Sequence, residues 1–307
     1  MNNTITSDLP LVSIIVITYN SAKYVLETLE SAKAQTFENI ELIVSDDSSS
    51  DNTVEICRNW IEANKERFVR TELISIEKNA GIPANCNRGV KAAHGEWVKL
   101  IAGDDILDAK CIQLNIEYIN TNLNAKVVIS NIVTFQYDSH NIKNGKKHIP
   151  NNLDTLKGTT NAKIQYRALL YQYFGNSPSL FILKAIITEI GYDENIQFME
   201  DFPFALNATK LGYTFNYLDA VTVYYRFSDK SVYGSKSSRI LFNDFYKKRH
   251  LFDKIYRYPF LPKKLVKMEI FEYYRLLLFD NMGINRNNVL CRLIYKTTFH
   301  LNPHKYF

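Results

Sequence analysis

The sequence predicts an α/β protein built on a mostly parallel, doubly wound sheet flanked by helices, with a helical C-terminal extension. Short apolar runs rich in Val and Ile alternate with segments whose apolar residues recur at helical spacing. The repeat is about thirty residues, the length that a right-handed βαβ crossover requires. Composition agrees: 46% apolar and 22% charged residues, with 11 Gly and 8 Pro in 307 residues, excludes collagen-like, low-complexity and wholly disordered chains.

Leu11–Thr18 (LVSIIVIT) is an almost continuous apolar run, the pattern of a parallel strand covered on both faces. Asn20-Ser21 can cap the helix that follows, in which Val25, Leu29 and Ala32 share a face. Ile40–Val44 is a second strand ending at Ser45-Asp46-Asp47, and Asn52 with Glu55 forms a variant capping box for the next helix. Leu73–Ile76 is a third strand. Pro83 suits a first helical turn, and Trp97–Ala102 is a fourth strand leading into Gly103-Asp104-Asp105. Beyond these lie a helix with Ile112, Ile116, Ile119 and Leu123 on one face, a strand over Val127–Phe135, and a polar stretch from Asp138 to Asn161 that reads as a mobile loop. A helix near Lys163–Phe174, a strand near Ser179–Leu183, a helix after Phe202 and a strand near Val221–Tyr225 follow. The tail is expected to be helical and aromatic, broken around Pro259 and Pro262. Domain boundaries are expected at 1–239 and 240–307, with a nucleotide-binding half over about 10–105 and an acceptor half over about 106–239.

The net charge of +5 is unevenly placed, since Ile240–Phe307 holds 13 Lys or Arg against 5 Asp or Glu. A basic segment at one end suggests an anionic surface. No run of 18 apolar residues occurs, and Met1–Pro10 lacks the basic start and apolar stretch of a secretory signal, so the expected location is cytoplasmic. Cys57, Cys86, Cys111 and Cys291 form no CxxC, which favours buried thiols over disulfides or zinc.

Neither GxGxxG nor GxxxxGK[ST] is present, so a phosphate ligand needs another clamp, and carboxylates with Mg²⁺ or Mn²⁺ supply one. Adjacent carboxylates such as Asp104 and Asp105 at a buried strand end repel unless a cation or hydrogen bonds relieve them; the alternative is a solvated Asp-Asp turn. Asp46 and Asp47 divide in the same way between a base or ribose contact and Asx-turn chemistry. Asp201, before Phe202-Pro203, is either a plain N-cap or a general base. Arg88 and Arg226, as lone basic residues near element ends, read as surface ion-pair members before phosphate ligands.

Together these features resemble one family over roughly residues 10–235, the inverting family 2 glycosyltransferases of the GT-A fold. The resemblance rests on Val12–Thr53 (VSIIVITYNSAKYVLETLESAKAQTFENIELIVSDDSSSDNT), Asn79–Asp105 (NAGIPANCNRGVKAAHGEWVKLIAGDD), Met199–Asp201 (MED) and Tyr224–Val232 (YYRFSDKSV). It implies that Thr18 and Tyr19 line a nucleotide pocket, that Asp47 bonds the base, and that Asn79 and Arg88 lie in the segment closing over the nucleotide. It further implies that Asp104 and Asp105 reach ribose and metal, with Asp105 the direct ligand of Mn²⁺ or Mg²⁺, and that Asp201 is the inverting base. The chain departs from the family in three places. The frequent Asp-Ala-Asp-Asp is Ala102-Gly103-Asp104-Asp105, which loses the leading acid; DDGS is Asp46-Asp47-Ser48-Ser49, which loses a permissive glycine; and a frequent histidine is Ser228.

The expected activity is transfer of a sugar from a nucleotide-sugar donor, by default a UDP-sugar, to a saccharide or lipid-linked saccharide acceptor in surface polysaccharide biosynthesis. A catalytically degenerate sugar-nucleotide-binding or scaffold protein is the rival. A phosphoacceptor signalling domain is disfavoured, because its acids would follow strands one and three. The tail reads either as a peripheral contact with the anionic inner membrane face or as ordinary packing or a homo-oligomer contact. Nucleic acid is not an expected partner.

Overall fold

The computed structural model describes residues 9–138, 141–143, 145–227, 244–286, 288–300 and 303. Strands β1 (Val12–Thr18), β2 (Ile40–Asp46), β3 (Arg70–Ser75) and β4 (Trp97–Ala102) alternate with α1 (Val25–Lys33), α2 (Thr53–Asn64) and α3 (Ile82–Ala92). Then come β5 (Ile106–Leu107), α4 (Cys111–Thr121), β6 (Val127–Asp138), β7 (Asn141–Lys143), β8 (Lys147–His148), α5 (Leu153–Gly158) and α6 (Ala162–Tyr171). β9 (Phe181–Leu183), α7 (Lys184–Ile190), α8 (Asp201–Lys210) and β10 (Phe215–Arg226) complete the sheet-bearing part, and α9 (Asp244–Phe252), α10 (Lys263–Asn281) and α11 (Val289–Phe299) follow. The chain divides into two compact units, Met1–Glu194 with Glu200–Phe227 and Asn195–Met199 with Ser228–Phe307.

In the first unit the sheet runs β3-β2-β1-β4-β9-β6-β10-β5, with β7 and β8 joined to β6. β1 lies between β2 and β4 and is parallel to both, so that Thr18 pairs with Asp46 and Ile17 with Ala102. β6 and β10 are also parallel, whereas β9 runs antiparallel to both β4 and β6. The sheet is therefore mixed, with its parallel part where the sequence places it. Burial explains that legibility: β2 is buried throughout and β1 nearly so, which demands apolar residues on both faces. Val12, Ile14 and Val16 join Val25, Leu29, Cys57 and Trp60 in one core, while Ile15 faces α3. The edge strand β3 is only half-buried.

Several local expectations give way to neighbouring groups. Asn52 does occupy the N-cap of α2 but makes no side-chain cap bond; Asp51 reaches further and accepts from Thr53 N at 3.0 Å and Ala22 N at 3.1 Å. Nor do the side chains of Asn20 and Ser21 cap α1, whose N-cap is Tyr24, because the Ser21 carbonyl takes the amides of Tyr24 and Val25 at 2.9 Å each. Leu123 lies past the end of α4 and is 85% exposed. The stretch Asp138–Asn161 is not one irregular loop: its described residues include β7, β8 and α5. α7 and the two-residue β5 were not anticipated.

The second unit holds the helices of the tail, broken as expected near its prolines: Pro259 lies in a 3-10 turn over Tyr258–Phe260 and Pro262 is the N-cap of α10. A buried ion cluster ties the break together, with Asp253 between Arg249 (3.0 Å) and Arg257 (2.5 Å), and Arg257 reaching Glu269 on α10 at 3.2 Å. Arg275 of α10 bonds Thr298 of α11 at 2.7 Å. Ser228 and the remainder of YYRFSDKSV lie outside the described residues. Among the described residues no helix is long and apolar enough to cross a membrane.

Substitutions at two positions test the local geometry of the parallel layer. A Cβ on Gly89 of α3 would meet Ile15 Cγ2 at 2.4 Å, so Gly89→Ala is expected to destabilise the protein by about 1–3 kcal/mol in denaturant unfolding. Ser48, which stands where the family that the sequence resembles has a glycine, sits at φ 69°, a conformation that costs a non-glycine residue about 1–2 kcal/mol. Ser48→Gly is therefore expected to be neutral to stabilising, even with loss of its exposed hydroxyl bond to the Glu77 carbonyl at 3.0 Å, and Ser48→Val to lower the melting temperature.

Candidate active site

Parallel pairing brings the carboxyl ends of β1, β2 and β4 to one edge, and the strand order reverses its direction of growth at β1. Crevices at such switch points are where open α/β sheets bind ligands. Thr18, Asp46, Asp47, Asp104 and Asp105 all fall there.

The two acids after β2 have different surroundings. Asp46 is buried and internally satisfied, accepting from Thr18 Oγ1 at 2.8 Å, Ser49 N at 2.8 Å and Ser49 Oγ at 2.5 Å. Asp47 is held from α3 and the loop before it: Gly81 N donates at 2.7 Å, Ala80 N at 3.2 Å and Arg88 Nη2 at 3.0 Å. Asn79 donates to the Asp47 carbonyl at 3.1 Å. Arg88 also reaches Ser45 Oγ (3.1 Å) and Asn85 Oδ1 (2.7 Å), and Asn85 in turn donates to the Thr18 carbonyl at 3.2 Å. The structure thus brings Thr18, Asp47, Asn79 and Arg88 into one hydrogen-bonded group. Arg88 is an ion-pair member, as its lone position suggested, but it is half-buried and serves the site. Tyr19 stands beside this group with 54% of its surface exposed, a free aromatic face at the sheet edge.

After β4, Gly103 lies against β1, where a Cβ would meet Thr18 Cγ2 at 2.8 Å. Asp104 is half-buried and Asp105 fully buried. Asp105 Oδ1 accepts from Arg226 N at 2.8 Å, and its Oδ2 is buried without a hydrogen-bond partner. Burial pushes both carboxyls above their usual range, Asp105 further because Asp104 lies beside it. The reading of Arg226 as a surface residue is overturned: its side chain is buried between the rings of Tyr24 (4.2 Å) and Phe135 (4.6 Å). From there it donates to the Asp104 carbonyl at 2.7 Å and pairs with Glu27 at 2.8 Å. The sequence marks it within the YYRFSDKSV block but not as a neighbour of the acids, because only the pairing of β10 with β5 and β6 carries it to them.

Asp201 is the first residue of α8 and not its N-cap, a position Glu200 holds without a side-chain cap bond. Its carboxylate accepts a short hydrogen bond from Ser177 Oγ, and the Tyr173 hydroxyl faces it. Burial raises the Asp201 carboxyl, opposed by the Ser177 bond. Burial and the neighbouring Asp201 charge push Glu200 up to about 7, and its Oε2 is buried without a partner. The charges of both acids and of Asp47 are felt at the buried Cys86 thiol on α3, so that helix adjoins the Asp47 group and the Glu200-Asp201 pair alike. Ser177 and the buried Lys99, which bonds the turn carrying Ser177, were missed; Lys99 left one trace in the sequence, a charge inside the apolar strand WVKLIA.

Among the described residues, no three His, Cys, Asp or Glu side chains gather as a metal site. Asp104 and Asp105 nonetheless suit a divalent cation that a ligand helps to bind: they are two hard oxygen donors, and one buried oxygen lacks a partner.

The model of glycosyl transferase family 2 matches residues 13–189. The chain is 24% identical over 262 residues to an uncharacterized glycosyltransferase of Methanocaldococcus jannaschii, covering 81% of this chain and 84% of that protein. It is 33% identical over 128 residues to the glycosyltransferase GlyG of Streptococcus pneumoniae, but spans only 40% of that relative's length. In fold it is similar to S. aureus TarS 1-349 in complex with UDP-GlcNAc, with a TM-score of 0.59, 20% identity, and coverage of 91% of this chain and 76% of that one. The GT-A architecture, the placement of the acids at the switch point and a family match over more than half of the sequence agree: the chain belongs to glycosyl transferase family 2 and is a glycosyltransferase.

Proposed function

We propose that the protein transfers a hexosyl or N-acetylhexosaminyl group from a UDP-sugar to a hydroxyl of a saccharide or lipid-linked saccharide, by single displacement with inversion, in surface polysaccharide biosynthesis. The observation that carries this reading is the pairing of a partnerless buried oxygen on Asp105 with a second, separately held carboxylate at Asp201. The TarS complexes with UDP and UDP-GlcNAc support the choice of donor, and a 29% match over 136 residues to E. coli chondroitin synthase supports a saccharide acceptor. Tyr19 offers its exposed ring to the base, with Thr18, Asp47, Asn79 and Arg88 lining the nucleotide. Asp104 takes the ribose and, with Asp105, holds Mn²⁺ or Mg²⁺. When bound, such a cation neutralises charge on the leaving diphosphate. Asp201 takes the proton of the acceptor hydroxyl as that oxygen attacks the sugar, and no covalent sugar intermediate forms. The half-buried setting that raises the Asp201 carboxyl also makes it a stronger base.

The tail is assigned to an anionic membrane surface that carries the acceptor. α11 exposes Val289 (84%), Leu290 (65%) and Leu293 (57%). Arg292 and Lys296 lie on the same helix, and residues 281–307 contain no Asp or Glu. Apolar residues bordered by cations suit the headgroup boundary, where each basic residue contributes about 1 kcal/mol.

Release of nucleoside diphosphate from UDP-, GDP- and dTDP-sugars, with Mn²⁺ or EDTA, checks the donor and the roles. UDP-sugar turnover is expected only with metal. Asp201→Asn should lower it by about 10²–10⁴ while nucleotide binding persists, and Asp105→Ala should lose both. A wild-type chain that binds nucleotide sugars but never turns them over with any acceptor supports the rival reading, a degenerate binding module. Sedimentation with vesicles addresses the tail: the protein should bind phosphatidylglycerol vesicles and not phosphatidylcholine, and Arg292→Glu with Lys296→Glu should abolish binding. Equal binding to both, or a stable dimer that binds neither, contradicts the membrane role.

A further inference from the structure

Ser177 belongs to no motif that marks the family resemblance, yet the turn that carries it is pinned on every side. Asn176, at φ 55°, donates to the carbonyls of Ser130 and His148 at 3.0 Å each. Ser179 Oγ donates to the Ser130 carbonyl at 3.0 Å and accepts from Ser130 N at 3.0 Å, so β6 grips the turn twice. Lys99 of β4, wholly buried, donates to the carbonyls of Pro178 at 2.6 Å and Leu180 at 3.3 Å. A lysine with no access to water is costly to bury, and its two bonds here go to the backbone of this one turn. Ser177 is the residue between these anchors whose side chain points elsewhere, to Oδ2 of Asp201.

We propose that Ser177 is a positioning residue for the base: the turn over Asn176–Leu180, anchored to β4 through Lys99 and to β6 through Ser130, holds the Ser177 hydroxyl against the Asp201 carboxylate and fixes its orientation towards the acceptor. The strand that leads into Asp104-Asp105 and the carboxylate that receives the acceptor proton are thereby joined by one chain of bonds, from Lys99 through the turn to Ser177 and Asp201. This rests on Asp201 being the base. The groups facing Asp201 are Glu200 on its own segment, Tyr173 after α6, Tyr192 after α7 and Cys86 on α3. Burial favours a protonated Asp201, and a donated hydrogen bond from Ser177 favours the charged form. Removing that bond therefore raises the pH at which Asp201 loses its proton.

The test is a carboxyl ¹³C titration of aspartate-labelled, substrate-free protein, with Asp201→Asn identifying the resonance, alongside turnover of the UDP-sugar named by the donor panel. Ser177→Ala is expected to move the Asp201 midpoint up by about one pH unit and to shift the acidic limb of the rate profile the same way. Its kcat should fall about tenfold at unchanged donor KM, while Ser177→Thr, which keeps the hydroxyl, should behave as wild type. An unmoved midpoint in Ser177→Ala, or Ser177→Thr matching Ser177→Ala, overturns the positioning role. Undiminished turnover in Asp201→Asn contradicts the base reading itself; an inactive Asp201→Asn with an unmoved Ser177→Ala midpoint contradicts the positioning role alone.

Discussion

Two adjacent carboxylates at the end of a buried strand repel one another and resist leaving water. The fold holds Asp104 and Asp105 in that situation by bringing Arg226 to them from the end of β10. Its amide satisfies one oxygen of Asp105, its guanidinium bonds the Asp104 carbonyl, and Tyr24, Phe135 and Glu27 hold the guanidinium in turn. The remaining Asp105 oxygen is left without a hydrogen bond. A site that fully neutralised its acids would have no use for a cation; one that leaves a buried oxygen unpartnered is stabilised by what binds there.

The same separation of tasks appears across the sheet edge. Asp46 is consumed by Thr18 and Ser49 and shapes the strand end. Asp47, one residue on, instead orders the loop that opens α3 and positions Arg88. α3 then ties Thr18, through Asn85, and the segment before α8, through Asn87, which donates to the Tyr192 carbonyl at 2.9 Å. One helix therefore ties the group around Thr18 and Asp47 to the segment that leads to Asp201.

How much of this was legible in the sequence depended on whether a signal was local. β1 and β4 are covered on both faces, so their burial is written as nearly continuous apolar runs, interrupted by Ser13 and Lys99, and the acids stand out where the runs stop. The 30-residue spacing then fixed the parallel layer. β5 is two residues long and exists because Leu107 pairs with Val223 and Ile106 with Tyr224, contacts across more than a hundred residues that no local pattern records. Asn52 has the residue type and spacing of a cap but makes no side-chain cap bond, and Asp51, one position earlier, takes the amide of Thr53 instead. Arg226 looked like any surface arginine because its partners come from β4, α1 and β6. Ser177 lay in a polar stretch whose order comes from Asn176, Ser130 and Lys99, none of which is unusual for its position except the lysine.

Under the proposed function, Asp105 and a nucleoside diphosphate bind a divalent cation together. The most direct measurement is electron paramagnetic resonance of Mn²⁺ titrated into wild-type protein and into Asp105→Asn, each with and without UDP. The signal of free Mn²⁺ is expected to be lost strongly only when wild-type protein and UDP are both present. Equal uptake by Asp105→Asn, or UDP binding that is as tight in EDTA as in Mn²⁺, would contradict it.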